Sequence, residues 1–172
     1  MKKLFILFFI IFCLFSFVSY KSSISENDFQ TITGKAIIID GDTIKIDNKK
    51  VRLLNIDSPE SSQKCYNKNN RKYLCGKAAT SFLKNFVNDK YVLCQYERLD
   101  IYQRILGRCF INDTDINLTM IKNGHAVIYN YENSSINYIE AEKYAQDNRL
   151  GIWQGAFEIP KDYRKRKRGK RK

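Results

Sequence analysis

A succession of short strand-like and helix-like patterns constrains this chain most, because it restricts the fold to a small mixed domain. Three strand-like segments, at 34–40, 43–47 and 51–56, follow one another closely. Gly41 and the polar residues at 47–49 separate them, and such residues are typical of tight turns. The pattern therefore predicts a three-stranded meander at the start of the domain.

Helices and further strands follow the meander. In 76–87 the apolar residues recur at spacings of three and four, which predicts an amphipathic helix. Two more strands and two more helices are predicted after it, at 91–96, 105–111, 116–122 and 137–149. We therefore expect an α+β, mainly β fold, namely a five-stranded OB-fold barrel with three α-helices. This architecture commonly binds oligonucleotides, although fold alone does not establish function.

The N-terminal residues have the pattern of a targeting signal. Lys2 and Lys3 precede an apolar run of 15 residues, 4–18, in which Ser16 is the one polar residue, as in a secretory signal. A membrane span needs about 20 apolar residues, although about 17 can suffice. The pattern favours a cleaved signal peptide in 1–21, with an uncleaved anchor through 4–18 as the alternative. Both predict an exported protein, either secreted or periplasmic.

Positive charge is concentrated at the two ends of the chain. The formal net charge is +12, and residues 161–172 contain nine Lys or Arg and one Asp. We expect a linker at 22–32, a folded domain at 33–157 and a basic C-terminal tail at 158–172. Such a tail is predicted to be a solvated arm. It either captures a polyanion or an anionic membrane surface, or it is a disordered extension.

Export makes four cysteines candidates for disulfide bonds. Cys65 and Cys75 bracket a polar loop, whereas Cys94 and Cys109 lie in successive predicted strands, where facing positions bring Cβ atoms within bonding range. We favour the pairs 65–75 and 94–109 over free thiols. A zinc site is not favoured, because the spacings are wrong and the only histidine, His125, is distant in sequence from both pairs.

Charged residues cluster at three strand ends. One cluster is the Asp-Gly-Asp-Thr segment at 40–43, the second runs from Arg52 to Glu60, and the third is Asp-Ile-Tyr-Gln-Arg at 100–104. Each alone is an ordinary turn or helix-start sequence. Together they supply what phosphodiester cleavage needs. Two carboxylates can hold a hard cation, a third acidic group can handle a proton, and two guanidiniums can neutralise a phosphorane.

The order and spacing of these clusters resemble the thermonuclease (micrococcal nuclease) family over nearly all of residues 33–153. The matching sequences are Asp40-Gly41-Asp42-Thr43, Arg52-Leu53-Leu54, Asp57-x-Pro59-Glu60, Asp100-x-Tyr102-x-Arg104, and the segments 117–124 and 150–153. The resemblance implies a calcium-dependent endonuclease that hydrolyses the phosphodiester bonds of DNA, RNA or both.

The same resemblance implies a role for each matching residue. Asp42 and Asp57 would ligate Ca²⁺, and Ser58 would lend its backbone carbonyl. Glu60 would activate or align the attacking water. The other implied residues are two arginines that stabilise the phosphorane, an aspartate that supports the metal site and three tyrosines that line the nucleotide pocket: Arg52, Arg104, Asp40, Tyr102, Tyr129 and Tyr131.

One position departs from the family's pattern. Gln103 stands between Tyr102 and Arg104, where the family usually has glycine. If the loop requires a positive φ there, glutamine costs roughly 1 kcal/mol or changes the loop. The placement of Arg104 therefore depends on this position.

A catalytically silent OB-fold module that binds nucleic acid or protein is the alternative function. A binding-only descendant usually loses a metal carboxylate, an arginine or the glutamate. Here all of these groups are present: Asp42, Arg52, Asp57, Glu60 and Arg104. The sequence therefore favours the enzyme, and we expect it to be a monomer with nucleic acid as its substrate.

Overall fold

The computed structural model describes residues 29–170. The predicted signal or anchor at 1–21 and most of the predicted linker lie outside the described residues and stay predictions. Among the helices that are described, none is both long enough and apolar enough to cross a membrane.

One curled β-sheet forms the body of the domain. The strands of the domain are β1 (Gln30–Lys35), β2 (Ile37–Ile38), β3 (Thr43–Ile46), β4 (Lys49–Leu53), β5 (Ile56–Asp57), β6 (Cys65–Tyr66), β7 (Lys72–Tyr73), β8 (Tyr91–Leu99), β9 (Ile105–Ile111), β10 (Thr114–Asp115) and β11 (Val127–Ile128). The strand order of the main sheet is β1-β8-β9-β4-β3-β2, with β10 paired to β9, while β11–β5 and β6–β7 form two small pairs.

The curl follows from how the first two strands are joined. Only Ala36 separates β1 from β2, yet β1 pairs with β8 and β2 pairs with β3. One nearly continuous segment thus connects the two ends of the sheet. A Cβ atom on Gly34 would lie 2.8 Å from Cγ2 of Ile46, which shows how closely β1 approaches β3. The sheet is therefore a partly closed barrel.

Helices cover the barrel and complete its core. They are α1 (Cys75–Val87), α2 (Ile116–Lys122), α3 (Ile136–Asp147) and α4 (Pro160–Gly169), with 3₁₀ turns at Tyr131–Asn133 and Gly151–Gln154. The inner face of α1 buries Ala79, Leu83 and Val87, at the spacing of four that the sequence pattern indicated. Burial of a side chain such as Leu83 stabilises the fold by about 1.5–3 kcal/mol. The three predicted helices are confirmed as α1 to α3.

The predicted count of five strands and three helices is wrong in detail. In residues 29–170 the main sheet has seven strands and there are four α-helices. The chain bends at Ala36 and splits one predicted strand, and β10 is a two-residue addition. The predicted linker also ends too late, because β1 begins at Gln30. Most β1 side chains are exposed, so no apolar alternation indicated the strand.

The basic tail is not the solvated arm that its charge predicted. Residues 160–169 form α4, with Pro160 in the first turn. Pro160 and Tyr163 are buried, and Arg166 forms an ion pair with Glu158 at 2.7 Å. The helix therefore forms because tertiary contacts offset its charge repulsion.

Both favoured disulfide pairs are confirmed. Cys65 is bonded to Cys75, 10 residues further along the chain, and Cys94 is bonded to Cys109, 15 residues further along. Cys94 and Cys109 face each other in the β8–β9 register, and both are fully buried. This bond therefore ties the two longest strands together inside the core.

Replacing Cys94 and Cys109 together with alanine is expected to lower the free energy of unfolding by about 3 kcal/mol, since the bond restricts the unfolded chain. Urea unfolding of the oxidised protein and of the double variant measures the difference. Reductant should bring the native protein toward the value of the variant. Equal stability with and without the bond would contradict the expectation.

Candidate active site

Arg52 joins two buried aspartates. One terminal nitrogen of its guanidinium donates to Oδ1 of Asp42 at 2.8 Å, and the other donates to Oδ1 of Asp57 at 3.0 Å. Asp42 is 5% exposed and Asp57 is 1% exposed. A planar guanidinium can hold two carboxylates at once. Arg52 thus fixes the relative position of two side chains that come from separate strand ends.

Close backbone packing brings the turn at 40–43 against the loop at 57–60. The Ser58 amide donates to Oδ2 of Asp42 at 3.1 Å, and Ser58 Oγ lies 2.9 Å from the Gly41 carbonyl. A Cβ atom on Gly41 would lie 2.8 Å from Cβ of Ser58, so this approach requires glycine. Asp40 accepts a hydrogen bond from the Asp42 amide at 3.0 Å. The turn therefore presents Asp42 to the loop.

The pair Asp42 and Asp57 fits a hard cation. Burial raises the pKa of Asp42 to about 7; Arg52 opposes this rise, and the nearby Asp40 and Asp57 carboxylates add to it. A divalent ion on oxygen donors would relieve that repulsion. Nowhere in residues 29–170 do three or more His, Cys, Asp or Glu side chains converge as a ready-made metal site. In this structure the guanidinium of Arg52 contacts both carboxylates, and that of Arg164 contacts Asp57.

Helix α4 reaches this cluster through Arg164, a residue that the sequence interpretation missed. Its guanidinium contacts both oxygens of Asp57, at 2.8 and 2.9 Å, and Oε1 of Glu60 at 3.0 Å. Burial alone would lower the pKa of Arg164, but hydrogen bonds and the charges of Asp57 and Glu60 raise it. Arg164 is therefore a cation held on two of the predicted site carboxylates.

Glu60 has a fixed backbone and an accessible carboxylate. Its amide donates to Oε1 of the buried Gln63 at 3.2 Å. A Cβ atom on Gly76 would lie 1.9 Å from the Glu60 carbonyl oxygen, so α1 packs directly against this residue. The Glu60 side chain is nevertheless 42% exposed. Such a carboxylate can exchange a proton with a solvent molecule in the cleft.

Arg104 projects from the loop between β8 and β9. Its Nε donates to Oδ2 of Asp100 at 2.8 Å, and its guanidinium lies 5.5 Å from the centre of the Tyr102 ring. Gln103 has a φ of 60°, so the loop does require the positive φ at which glycine would be favoured over glutamine. The amides of Tyr102 and Arg104 both donate to Asp100. These hydrogen bonds hold the loop in spite of the strained residue.

The three predicted tyrosines are not all together. Tyr102 and Tyr129 are 70% and 53% exposed, and both line the same cleft as Arg52 and Glu60. Tyr131 does not line that cleft, and its hydroxyl donates to the carboxylate of Glu142. Glu142 also accepts from the Ile128 amide. The contacts of Tyr131 thus link the Tyr131–Asn133 turn to α3.

The cleft itself has a volume of about 1070 Å³. Most of the predicted site residues line it, whereas Asp57 lies behind the surface. Its walls also carry residues that were not predicted: Thr43, Asn55, Arg98, Asn130, Lys161, Arg164 and Arg168. A sequence signal for this helix was present. Proline is common in the first turn of a helix, and the cations at 161, 164 and 168 have the spacing of residues on one helix face.

His125 packs inside the fold. Its ring lies 4.2 Å from the ring of Phe82, centre to centre, and burial lowers its pKa to about 4. Its carbonyl oxygen lies 2.8 Å from Ser58 Oγ. His125 therefore supports the site loop through its backbone and remains neutral at physiological pH.

Comparison with known proteins identifies a family for this chain. Residues 50–155 match the family model described as Staphylococcal nuclease homologue, whose domain has an OB-fold, in agreement with the curled sheet. The succinoglycan biosynthesis protein ExoI of Rhizobium meliloti is 36% identical over 127 residues, which cover 73% of this chain and 66% of that protein.

Two bacterial relatives are named as endonucleases. An uncharacterized endonuclease of Escherichia coli is 31% identical over 135 residues, covering 75% of this chain and 82% of the relative. One of Haemophilus influenzae is 33% identical over 121 residues, covering 67% and 62% respectively. The match thus spans less than two thirds of the Rhizobium and Haemophilus proteins. On the family match and these identities, the chain belongs to the staphylococcal nuclease homologue family.

Proposed function

We propose that this protein is a calcium-dependent endonuclease that hydrolyses phosphodiester bonds of DNA, RNA or both. One observation carries the proposal: Arg52 holds two buried aspartates beside an accessible Glu60 in a large cleft. Family membership and the names of the Escherichia and Haemophilus relatives support the same activity.

Each residue has a task in this proposal. Glu60 accepts a proton from the attacking water or aligns it toward phosphorus. Arg52 and Arg104 donate hydrogen bonds to the phosphate oxygens and stabilise the added charge of the phosphorane. Tyr102 and Tyr129 offer exposed rings on which bases can stack.

Asp42, Asp57 and the carbonyl of Ser58 would hold the metal ion. Their oxygen-only donors favour calcium or magnesium over zinc, and the family resemblance favours calcium. When bound, the ion supplies Lewis-acid charge on a phosphate oxygen. Asp40 supports this arrangement through the Asp42 amide.

Export is part of the proposal. The apolar run at 4–18 has the length of a signal, and two disulfides suit an oxidising compartment. We propose a folded domain at 33–157, extended by β1 and α4, that acts as a monomer on nucleic acid outside the cytosol.

Hydrolysis of single-stranded DNA, with calcium and with a chelator, tests the proposed function. We expect cleavage that requires calcium and disappears with chelation. Binding of DNA without cleavage under any divalent ion would instead indicate a catalytically silent module.

Replacing Arg164 with glutamine is expected to tighten calcium binding between about tenfold and a hundredfold, because hydrogen bonds to charged groups contribute about 1.5–3 kcal/mol. The guanidinium and the ion need the same Asp57 oxygens. Calorimetric titration with calcium measures the affinity directly. Arg166→Gln is the matched control, since Arg166 is on α4 but pairs with Glu158. Equal affinities in all three proteins would contradict this competition.

A further inference from the structure

Helix α4 is fixed to the domain rather than loosely attached. The Tyr163 hydroxyl lies 3.0 Å from Ser62 Oγ, and Gln63 Nε2 donates to the Glu158 carbonyl at 2.6 Å. Both contacts go to the loop that also carries Glu60. The position of the helix is therefore coupled to that of the proposed catalytic loop.

The face of α4 that meets the cleft is entirely cationic. Lys161, Arg164 and Arg168 are spaced by three and four residues, which places them on one side of a helix, and all three line the cleft. Lys161 and Arg168 are seven residues apart and thus separated by about 10 Å along the axis, which is about the rise of three nucleotides of one strand. The helix therefore forms a basic wall along the cleft.

Two of these cations lack an acidic partner within residues 29–170. Neither Lys161 nor Arg168 forms an ion pair in that part of the chain, whereas Arg104 pairs with Asp100 and Arg164 with Asp57 and Glu60. Lys161 Nζ lies 5.8 Å from the centre of the exposed Tyr129 ring. A cation beside a stacking surface suits a phosphate next to an unpaired base.

We propose that α4 is a substrate-binding element in which Lys161 and Arg168 bind backbone phosphates of single-stranded nucleic acid beside the scissile bond. The inference rests on the proposed function for its substrate class. The helix lies beyond residue 155, where the family match ends, so α4 extends the substrate site past the matched domain.

Direct binding separates this role from catalysis. The full protein is titrated onto a labelled single-stranded oligonucleotide in chelator, as native chain and as the double variant Lys161→Gln/Arg168→Gln. The matched control is Lys165→Gln/Lys170→Gln, which removes the same charge from exposed positions outside the cleft. Glutamine is a good helix former, and circular dichroism checks that each variant is folded.

We expect the cleft variant to weaken binding about tenfold and to reduce the slope of log K against log salt by about 1.4, for two lost phosphate contacts. The control should change binding less than about threefold, because its charges act only at a distance. The KM for hydrolysis should rise with the dissociation constant in the cleft variant.

Equal effects of both double variants would overturn the proposal, because net charge alone would then explain binding. It would also be overturned if the cleft variant lost affinity for anionic vesicles but not for the oligonucleotide, since α4 would then bind membranes. Binding that depends on Lys161 and Arg168 in a protein that never cleaves would support the inference and overturn the proposed hydrolysis.

Discussion

Replacing Glu60 with glutamine is expected to lower kcat by about 10²–10⁴-fold, the usual contribution of a general base. Glutamine keeps the size of the side chain but cannot accept the proton of the attacking water. The Glu60 backbone is held by Gln63 and by packing against Gly76, so the substitution should leave the loop in place. Initial rates on single-stranded DNA at saturating calcium measure the loss.

Glu140→Gln is the matched control for Glu60, because Glu140 is an exposed glutamate on α3. It should retain the native kcat. A Glu60→Gln protein with the native kcat would remove Glu60 from the proposed mechanism.

Replacing Arg52 with lysine is expected to lower kcat by about 10²–10³-fold, as for loss of a preorganised charge donor. An ammonium group lacks the planar fork that reaches Asp42 and Asp57 together. The same change should lower the free energy of unfolding by roughly 1–3 kcal/mol, since a buried acceptor loses its partner. Kinetics well below the unfolding temperature separate the two effects.

Arg108→Lys is the control for Arg52. Arg108 also pairs with a buried aspartate, Asp115, at 2.8 Å, but it does not line the cleft. We expect Arg108→Lys to retain the native activity. If Arg52→Lys retained it too, the arginine would have only a structural role.

Local patterns were sufficient for much of the fold. Apolar spacing in 76–87 located α1, and the facing positions of Cys94 and Cys109 in adjacent strands indicated their bond. These features depend on residues close in sequence or on regular strand pairing, so they can be predicted from a single sequence. The resemblance added the cluster of Asp42, Arg52 and Glu60, which the fold places at one cleft.

Long-range contacts decided what local patterns missed. Tyr131 and Tyr129 are two positions apart, yet only Tyr129 lines the cleft, because Glu142 of α3 binds the Tyr131 hydroxyl. Likewise β1 begins at Gln30 because its backbone pairs with β8. Its side chains are mostly exposed, so its sequence has no apolar pattern. In both cases the contact partner, Glu142 for Tyr131 and β8 for β1, is distant in sequence.

The sequence by itself determined the main strands from 43 to 111, the first three helices and the favoured disulfide pairs, and its resemblance to a family supplied the candidate site residues. Only the tertiary structure decided that the basic C-terminal segment is a helix that lines the candidate active-site cleft. A short segment so rich in like charges repels itself. It folds here because Tyr163 is buried and because distant carboxylates, Asp57, Glu60 and Glu158, neutralise Arg164 and Arg166.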